Sequence, residues 1–169
     1  ILNPKRPDDN YPFKHLSGCG VGFKFMQAFA KNNGIPFSRF IPMLDLCAVS
    51  IAADLVQVEE ENRILAFHGL KQLNQNPSLG LKAIIDICGL SGKEISMSDI
   101  VFKIGPRINA SGRMESGKES VSLLVEKDYN VALQSAKHIN EYNEQRKDID
   151  KQMTEEANQI VARLEIQKK

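Results

Sequence analysis

Apolar residues recur three or four positions apart along most of this chain, and residues that interrupt helices separate the runs. Phe23, Met26 and Ala30 follow this spacing and predict a helix over about 17–31. Further amphipathic runs predict helices over about 59–73, 79–88, 99–104 and 119–126, with Gly105 and Pro106 ending the helix that precedes them. The prevailing period therefore predicts a mainly α fold.

The run 44–53 does not show a clear period and fits either a strand or a buried helix. Its alanine content and its length favour a helix, whereas Val49 and Ile51 are compatible with a strand. A lone carboxylate, Asp54, closes the run. A buried carboxylate must be hydrogen-bonded, paired or bound to a metal ion, so Asp54 is a candidate metal ligand. The alternative is that Asp54 caps the helix that begins near Glu59.

The longest pattern runs from about 128 to 168 without glycine or proline. A helix of that length would measure about 60 Å, too long for the preceding residues to cover. Its narrow apolar stripe is formed by Ile139, Tyr142, Ile149, Met153, Ile160 and Leu164. This pattern predicts either a connection between two lobes or an antiparallel contact between two copies. We therefore divide the chain into a body, 1–127, and a long interdomain helix, 128–169.

A second candidate site lies at 107–113, where Arg107, Asn109, Ser111 and Arg113 place several hydrogen-bond donors on a compact segment. An arginine offers a bidentate fork to phosphate or carboxylate, and hydroxyl, amide and backbone N–H groups can complete the shell. The alternative is that these are surface arginines paired with some of the many glutamates. Composition alone favours that alternative.

The composition is that of a globular protein: of 169 residues, 42% are hydrophobic and 25% charged, and the net charge of +1 neither favours nor excludes a nucleic-acid partner. The three cysteines have no paired spacing, and the three histidines are expected at the surface. No apolar run is long enough to span a membrane, which favours a cytoplasmic protein. The first residues, which lack an initiator Met, suggest a piece of a longer polypeptide.

Several stretches together resemble the RecJ family, the bacterial single-strand-specific 5′ exonucleases of the DHH phosphoesterase superfamily. They are LNPKRP at 2–7, YPFK at 11–14, SGCGVGFK at 17–24, DLCAVSIAAD at 45–54, ENRIL at 61–65 and GPRINASGRM at 105–114. The resemblance runs in order over nearly the whole chain. Its most specific element is the segment Pro106–Arg113.

The resemblance implies a metal-dependent hydrolase that removes nucleotides from the 5′ end of single-stranded DNA in recombination and repair. It implies Mn²⁺ or Mg²⁺ as cofactor, with Asp54 as the last metal-binding carboxylate of the superfamily's motifs. Arg107, Asn109, Ser111 and Arg113 match the segment that lies near the substrate's phosphates. The chain would then be the helical C-terminal part of an α/β DHH catalytic lobe, followed by a long connecting helix.

The chain also departs from that family, because it contains no Asp-His-His motif and its one Asp-x-Asp sequence, at 148–150, falls within the predicted long helix rather than in the body. We expect these motifs to lie upstream of Ile1. One carboxylate cannot hold two metal ions, so the segment alone is expected to be inactive. Two alternatives stay open: a non-catalytic helical interaction module that binds a partner through the long helix, and a DHH-family phosphoesterase acting on cyclic dinucleotides or short oligonucleotides.

Overall fold

The computed structural model of the protein describes residues 2–114 and 116–163, and it describes only the backbone of Arg113 and Met114. The described residues form eight α-helices and no strand, which confirms the predicted mainly α fold. The helices are α1 Gly18–Asn32, α2 Leu44–Ala53, α3 Glu60–Gln75, α4 Leu79–Ile87, α5 Met97–Asp99, α6 Gly105–Met114, α7 Gly117–Val125 and α8 Tyr129–Arg163. Two 3₁₀ turns, Phe37–Arg39 and Ile41–Met43, lead from α1 to α2.

Helix α2 lies at the centre of the molecule and resolves the ambiguity of the run 44–53. One side of α2 packs into a core with α4, α7 and α8, and the other side packs into a second core with α1 and α3. Seven of its ten residues are buried. A helix that is buried on several sides has no polar face, and this is why its sequence shows no helical period.

A glycine brings α3 unusually close to α2. A Cβ atom placed on Gly69 would lie 2.1 Å from the carbonyl oxygen of Leu44 and 2.8 Å from Cβ of Ala48. Both distances are much shorter than a van der Waals contact, so the two helices can lie this close only if position 69 has no side chain. The position of α2 in the core thus depends on Gly69.

The predicted break at Gly105 and Pro106 is wrong. Helix α5 continues through a π-helical turn, Ile100–Ile104, directly into α6. Proline has no N–H group, and the altered hydrogen-bonding register of a π-helical turn allows the chain to continue where an α-helix would lose a bond. The donor-rich segment 107–113 is consequently helical.

Helix α8 has 35 residues and is about 52 Å long. Asp128 caps its N-terminus, with Oδ1 accepting from the N–H groups of Asn130 and Val131 at 2.8 and 3.1 Å. Its first half packs against α4, α6 and α7, whereas residues 147–160 are exposed. Within the described part of the chain, no helix is both long enough and apolar enough to cross a membrane.

Candidate nucleic-acid interface

The end of α2 and the start of α6 lie side by side because of a second glycine. A Cβ atom on Gly105 would lie 3.1 Å from Cβ of Ala53, the last residue of α2. This approach places Asp54, which follows Ala53, beside the segment that carries Arg107 and Asn109. The structure therefore brings together the two regions that the sequence singles out some fifty positions apart.

A cleft of about 180 Å³ opens where these elements meet α8. It is lined by Ala53, Val101, Gly105, Pro106, Asn109, Ala110 and Arg146. Its two polar side chains are the exposed amide of Asn109 on α6 and the guanidinium of Arg146 on α8. Arg146 is also paired with Asp150, Nη1 to Oδ2 at 2.8 Å. Donors from two helices thus face a space that is large enough for a small anionic group.

Asp54 is exposed rather than buried, which changes the argument for its role. It occupies the C-cap of α2, so it does not cap α3, whose N-cap is Glu59. A carboxylate is disfavoured at a helix C-terminus because the helix dipole is negative there. Its Oδ2 accepts from the Ser50 hydroxyl at 3.1 Å. Among the residues that the structure describes, Asp54 has no cationic partner within ion-pair distance.

The turn after Asp54 is strained. Leu55 has a φ of 51°, in the left-handed region that glycine usually occupies. The N–H groups of Leu55 and Val56 bond the carbonyls of Ala52 and Ile51, both at 3.3 Å, which is the pattern of a Schellman motif. The Leu55 side chain is 75% exposed, so its packing does not compensate for this strain. Strained residues of this kind cluster at functional sites.

The buried carboxylate of α2 is Asp45, which the sequence did not distinguish. It is fully buried in the first turn of the helix. Oδ1 accepts from the N–H of Leu46 at 2.7 Å, and Oδ2 accepts from the N–H of Ser78, before α4, at 2.8 Å. Burial raises the pKa of Asp45, although the two N–H groups act in the opposite direction. Asp45 therefore ties α2 to α4 and has a structural role.

Arg107 is held in place by uncharged groups. Its Nε donates to Oδ1 of Asn140 on α8 at 2.8 Å, and its Nη1 donates to the carbonyl of Lys103 at 2.7 Å. The neighbouring Lys103 is instead neutralised by Asp99, Nζ to Oδ1 at 2.7 Å. Among the described residues, no carboxylate lies at ion-pair distance from Arg107. The alternative that Arg107 is a surface arginine paired with a glutamate is therefore not observed.

The other residues of the predicted donor segment differ from one another. Asn109 is exposed at the cleft, as a ligand contact requires. Ser111 is fully buried, and its hydroxyl contacts that of Ser120 on α7, which donates to the carbonyl of Ile108 at 2.8 Å. In this arrangement Ser111 joins α6 to α7 and is not accessible to a phosphate. The side chain of Arg113 lies outside the described part of the chain.

Metal binding needs more ligands than this region offers. The described residues contain no group of three or more His, Cys, Asp or Glu side chains placed to hold a metal ion. His15, His68 and His138 are all exposed, as the sequence predicts, and none of them belongs to such a group. Asp54 alone does not fit a two-metal site.

Two residues of the interface escape sequence analysis. Asn140 orients Arg107 from 33 positions away, a pairing that only the packing of α6 on α8 produces. Arg146 lies on the long helix among many other charged residues. Arg146 differs from these residues in one respect: it follows Ile139 and Asn143 at helical spacing and so lies on the side of α8 that faces the body.

Comparison with known proteins confirms the resemblance to RecJ. The chain is 37% identical over 161 residues to the single-stranded-DNA-specific exonuclease RecJ of Bacillus subtilis, which covers 95% of this chain and 20% of that protein. It is 32% identical to RecJ of Escherichia coli over 98% of this chain and 30% of that protein. The chain thus spans less than a third of the length of these relatives. No protein-family model matches it.

Solved structures give the same result. RecJ from Thermus thermophilus in complex with Mg²⁺ superimposes with a TM-score of 0.78 at 27% identity, covering 89% of this chain and 23% of that one. An exonuclease RecJ bound to manganese gives a TM-score of 0.78 at 25% identity, covering 89% of this chain and 37% of that one. The segment therefore has the fold of a helical portion of RecJ.

Proposed function

We propose that this segment forms the helical part of a metal-dependent exonuclease that hydrolyses single-stranded DNA from its 5′ end in recombination and repair. The similarity to RecJ gives the class of protein. The observation that carries the proposal is the position of the Arg107 guanidinium, which two neutral acceptors orient. Among the described residues no carboxylate forms an ion pair with it, and Glu144, paired with Lys147, interacts with it only at longer range. A positive charge held in this way is available to a phosphate of the substrate.

In this proposal the residues around the cleft bind and orient the DNA backbone. Arg107 donates its remaining N–H groups to a phosphate, and the Asn109 amide adds a further donor. Arg146 exchanges its contact with exposed Asp150 for a second phosphate contact. Ser111 does not contact the DNA but keeps α6 in place through α7. These contacts position the strand without reading its sequence, as expected for an exonuclease.

Asp54 is proposed as one metal ligand of the complete site. Mn²⁺ or Mg²⁺, when bound in a complete site, would activate water and stabilise the oxygens of the scissile phosphate. The further ligands would come from parts of a RecJ-type DHH protein that this sequence does not contain. An exposed carboxylate at an unfavourable helix end is suited to this role, because a cation offsets the unfavourable dipole. Residues 1–127 would then belong to the catalytic lobe, and α8 would connect it to the next domain.

The experiment that tests the phosphate contact measures how DNA affinity depends on salt. In a full-length RecJ-type protein carrying this segment, Arg107→Ala should weaken binding to single-stranded DNA several-fold. It should also reduce the slope of log K against log salt concentration by about 0.7, the value for one phosphate contact on a single strand. The measurement is a fluorescence-anisotropy titration in EDTA at several salt concentrations.

Arg63→Ala provides the matched control, because Arg63 is exposed on α3, which packs on α2 and not on the cleft. It removes the same charge and should leave the slope unchanged. Equal slopes for the wild type and the Arg107 variant would overturn the proposed contact. An equal reduction in both variants would mean that only the overall charge matters.

The exposed half of α8 supports a second candidate function, that of an interaction surface. Ile149, Met153 and Ile160 are 44 to 64% exposed and lie at helical spacing within the exposed stretch 147–160 of α8. An apolar stripe of this kind fits an antiparallel contact with a second copy. Sedimentation equilibrium tests this candidate: self-association that Met153→Lys abolishes supports it, and a monomer at all concentrations contradicts it.

A further inference from the structure

Two cysteines that are distant in sequence lie side by side between α1 and α2. Cys19 is in the first turn of α1 and Cys47 is in the middle of α2, 28 positions later. Their Sγ atoms are 3.9 Å apart. A disulfide needs about 2.05 Å, so each sulfur would have to move by about 1 Å, within the reach of small changes in the side-chain torsions.

We propose that Cys19 and Cys47 form an oxidation site, a dithiol that a small organic disulfide such as oxidised glutathione converts into an intramolecular disulfide. The proposal does not depend on the proposed nuclease function, because it follows from the sulfur geometry alone. The third cysteine, Cys88, is the C-cap residue of α4, and its Sγ donates to the carbonyl of Lys103 at 3.6 Å. Cys88 therefore serves as an internal control.

The surroundings of the two thiols differ, and this difference sets the order of the reaction. Cys19 is only partly buried, whereas Cys47 is completely buried, so Cys19 is the more accessible of the two. The hydrogen bond with Cys47 lowers the pKa of Cys19. The same contact and burial raise the pKa of Cys47. The thiolate at Cys19, near a helix N-terminus, is thus the nucleophile that meets the oxidant.

The reaction then proceeds in two exchanges. The Cys19 thiolate attacks one sulfur of oxidised glutathione, forming a mixed disulfide and releasing one glutathione thiolate. Cys47 next loses its proton and attacks the Cys19 sulfur, which releases the second glutathione thiolate. Both protons end on the two glutathione thiols, and the two protein sulfurs are joined. The oxidant receives two electrons in total.

The expected consequence is a cross-link that fixes α1 on α2. It would close a loop of about 28 residues and raise the thermal midpoint by about 5–10 °C. Because Asp54 is the C-cap residue of α2, the cross-link would also restrict the helix that precedes the candidate metal ligand.

Mass spectrometry of the reduced 169-residue chain after incubation with oxidised glutathione tests the proposal. The expected product is about 2 Da lighter than the reduced chain, with one peptide pair joined through Cys19 and Cys47 and with Cys88 still open to alkylation. Cys88→Ser should behave like the wild type, and Cys19→Ser should show no loss of mass. The thermal midpoint should fall back to its original value after reduction.

Three results would overturn the proposal. The first is a glutathione adduct that persists on Cys19, which would mean that Cys47 cannot reach it. The second is a disulfide that includes Cys88 or joins two chains. The third is a folded chain whose thiols all remain alkylatable under conditions that oxidise the unfolded chain. Each result is read on the unsubstituted protein, so a variant that misfolds does not obscure it.

Discussion

The spacing of α2 and α3 can be tested by adding a single methyl group at Gly69. The Cβ atom of an alanine there would lie 2.1 Å from the Leu44 carbonyl oxygen, whereas a carbon and an oxygen need about 3.2 Å. The shortfall of about 1 Å cannot be absorbed by a side-chain rotation, because the obstructing atom belongs to the backbone of α2. The two helices must separate, and α2 must shift in both cores that it joins.

We expect Gly69→Ala to lower the free energy of unfolding by about 3 kcal/mol, at the upper end of the cost of overpacking a core. For a chain of this size, that loss corresponds to a fall of about 6–12 °C in the thermal midpoint. Alanine also favours a helix over glycine by about 0.5–1 kcal/mol, and the clash must exceed this gain. Thermal and urea unfolding followed by circular dichroism measure both quantities.

Gly22→Ala is the matched control. Gly22 lies within α1, and a Cβ atom there would meet nothing within 4 Å. The same substitution should therefore raise the free energy of unfolding by about 0.5–1 kcal/mol, because only helix propensity changes. If Gly69→Ala is as stable as the wild type, or if the free energy of unfolding changes in the same direction in both variants, then α2 and α3 are not packed as closely as described.

Three further predictions concern the ends of helices. Leu55→Gly should raise the free energy of unfolding by about 1 kcal/mol, as measured by urea unfolding, because glycine adopts the positive φ without strain; a loss of stability would contradict this. Asp45→Ala should lower the free energy of unfolding by about 1–3 kcal/mol, because it leaves the partly buried N–H of Ser78 without its acceptor; an unchanged urea midpoint would refute that role. The hydrogen bonds from Lys103 and then from Ser96 hold the pKa of Asp99 well below its usual range. The stability that this shift contributes is fully present above the usual aspartate pKa of about 3.9 and is lost as the pH falls towards the pKa in the folded state. The urea midpoint of the wild type should therefore fall between about pH 6 and about pH 3, and it should fall less in the Asp99→Asn variant.

Helices with a clear polar face could be predicted from the sequence, and the central helix could not. The predicted helix over 17–31 is α1, and the run after Asp128 is α8, which begins one residue later. The sequence of α2 is compatible with both a strand and a helix, because burial in two cores removes the hydrophobic period on which such predictions depend. The continuation past Pro106 was missed for a different reason: a π-helical turn leaves no signal in the hydrophobic pattern.

In the candidate site, too, some residues could be identified from the local sequence, whereas the contacts between them depend on how the helices pack. Arg107 and Asn109 stand out in the sequence because donors are concentrated there. The orientation of Arg107 depends on the neutral acceptor Asn140, which only the packing of α8 brings near. The expected burial of Asp54 is wrong: Asp54 is exposed and the buried carboxylate is Asp45, a distinction that depends on where α2 begins and ends.

The central claim is that Asp54 serves a metal-dependent nuclease whose site this segment does not complete alone. An assay with end-labelled single-stranded DNA and Mn²⁺ tests it most directly. In a full-length RecJ-type protein carrying the segment, Asp54→Asn should lower turnover by more than about 100-fold. Asp148→Asn, on the exposed half of α8, should leave turnover unchanged. The isolated 169 residues should degrade no DNA. Exonuclease activity of the isolated segment that Asp54→Ala abolishes, or full activity of the Asp54→Asn protein, would contradict the claim.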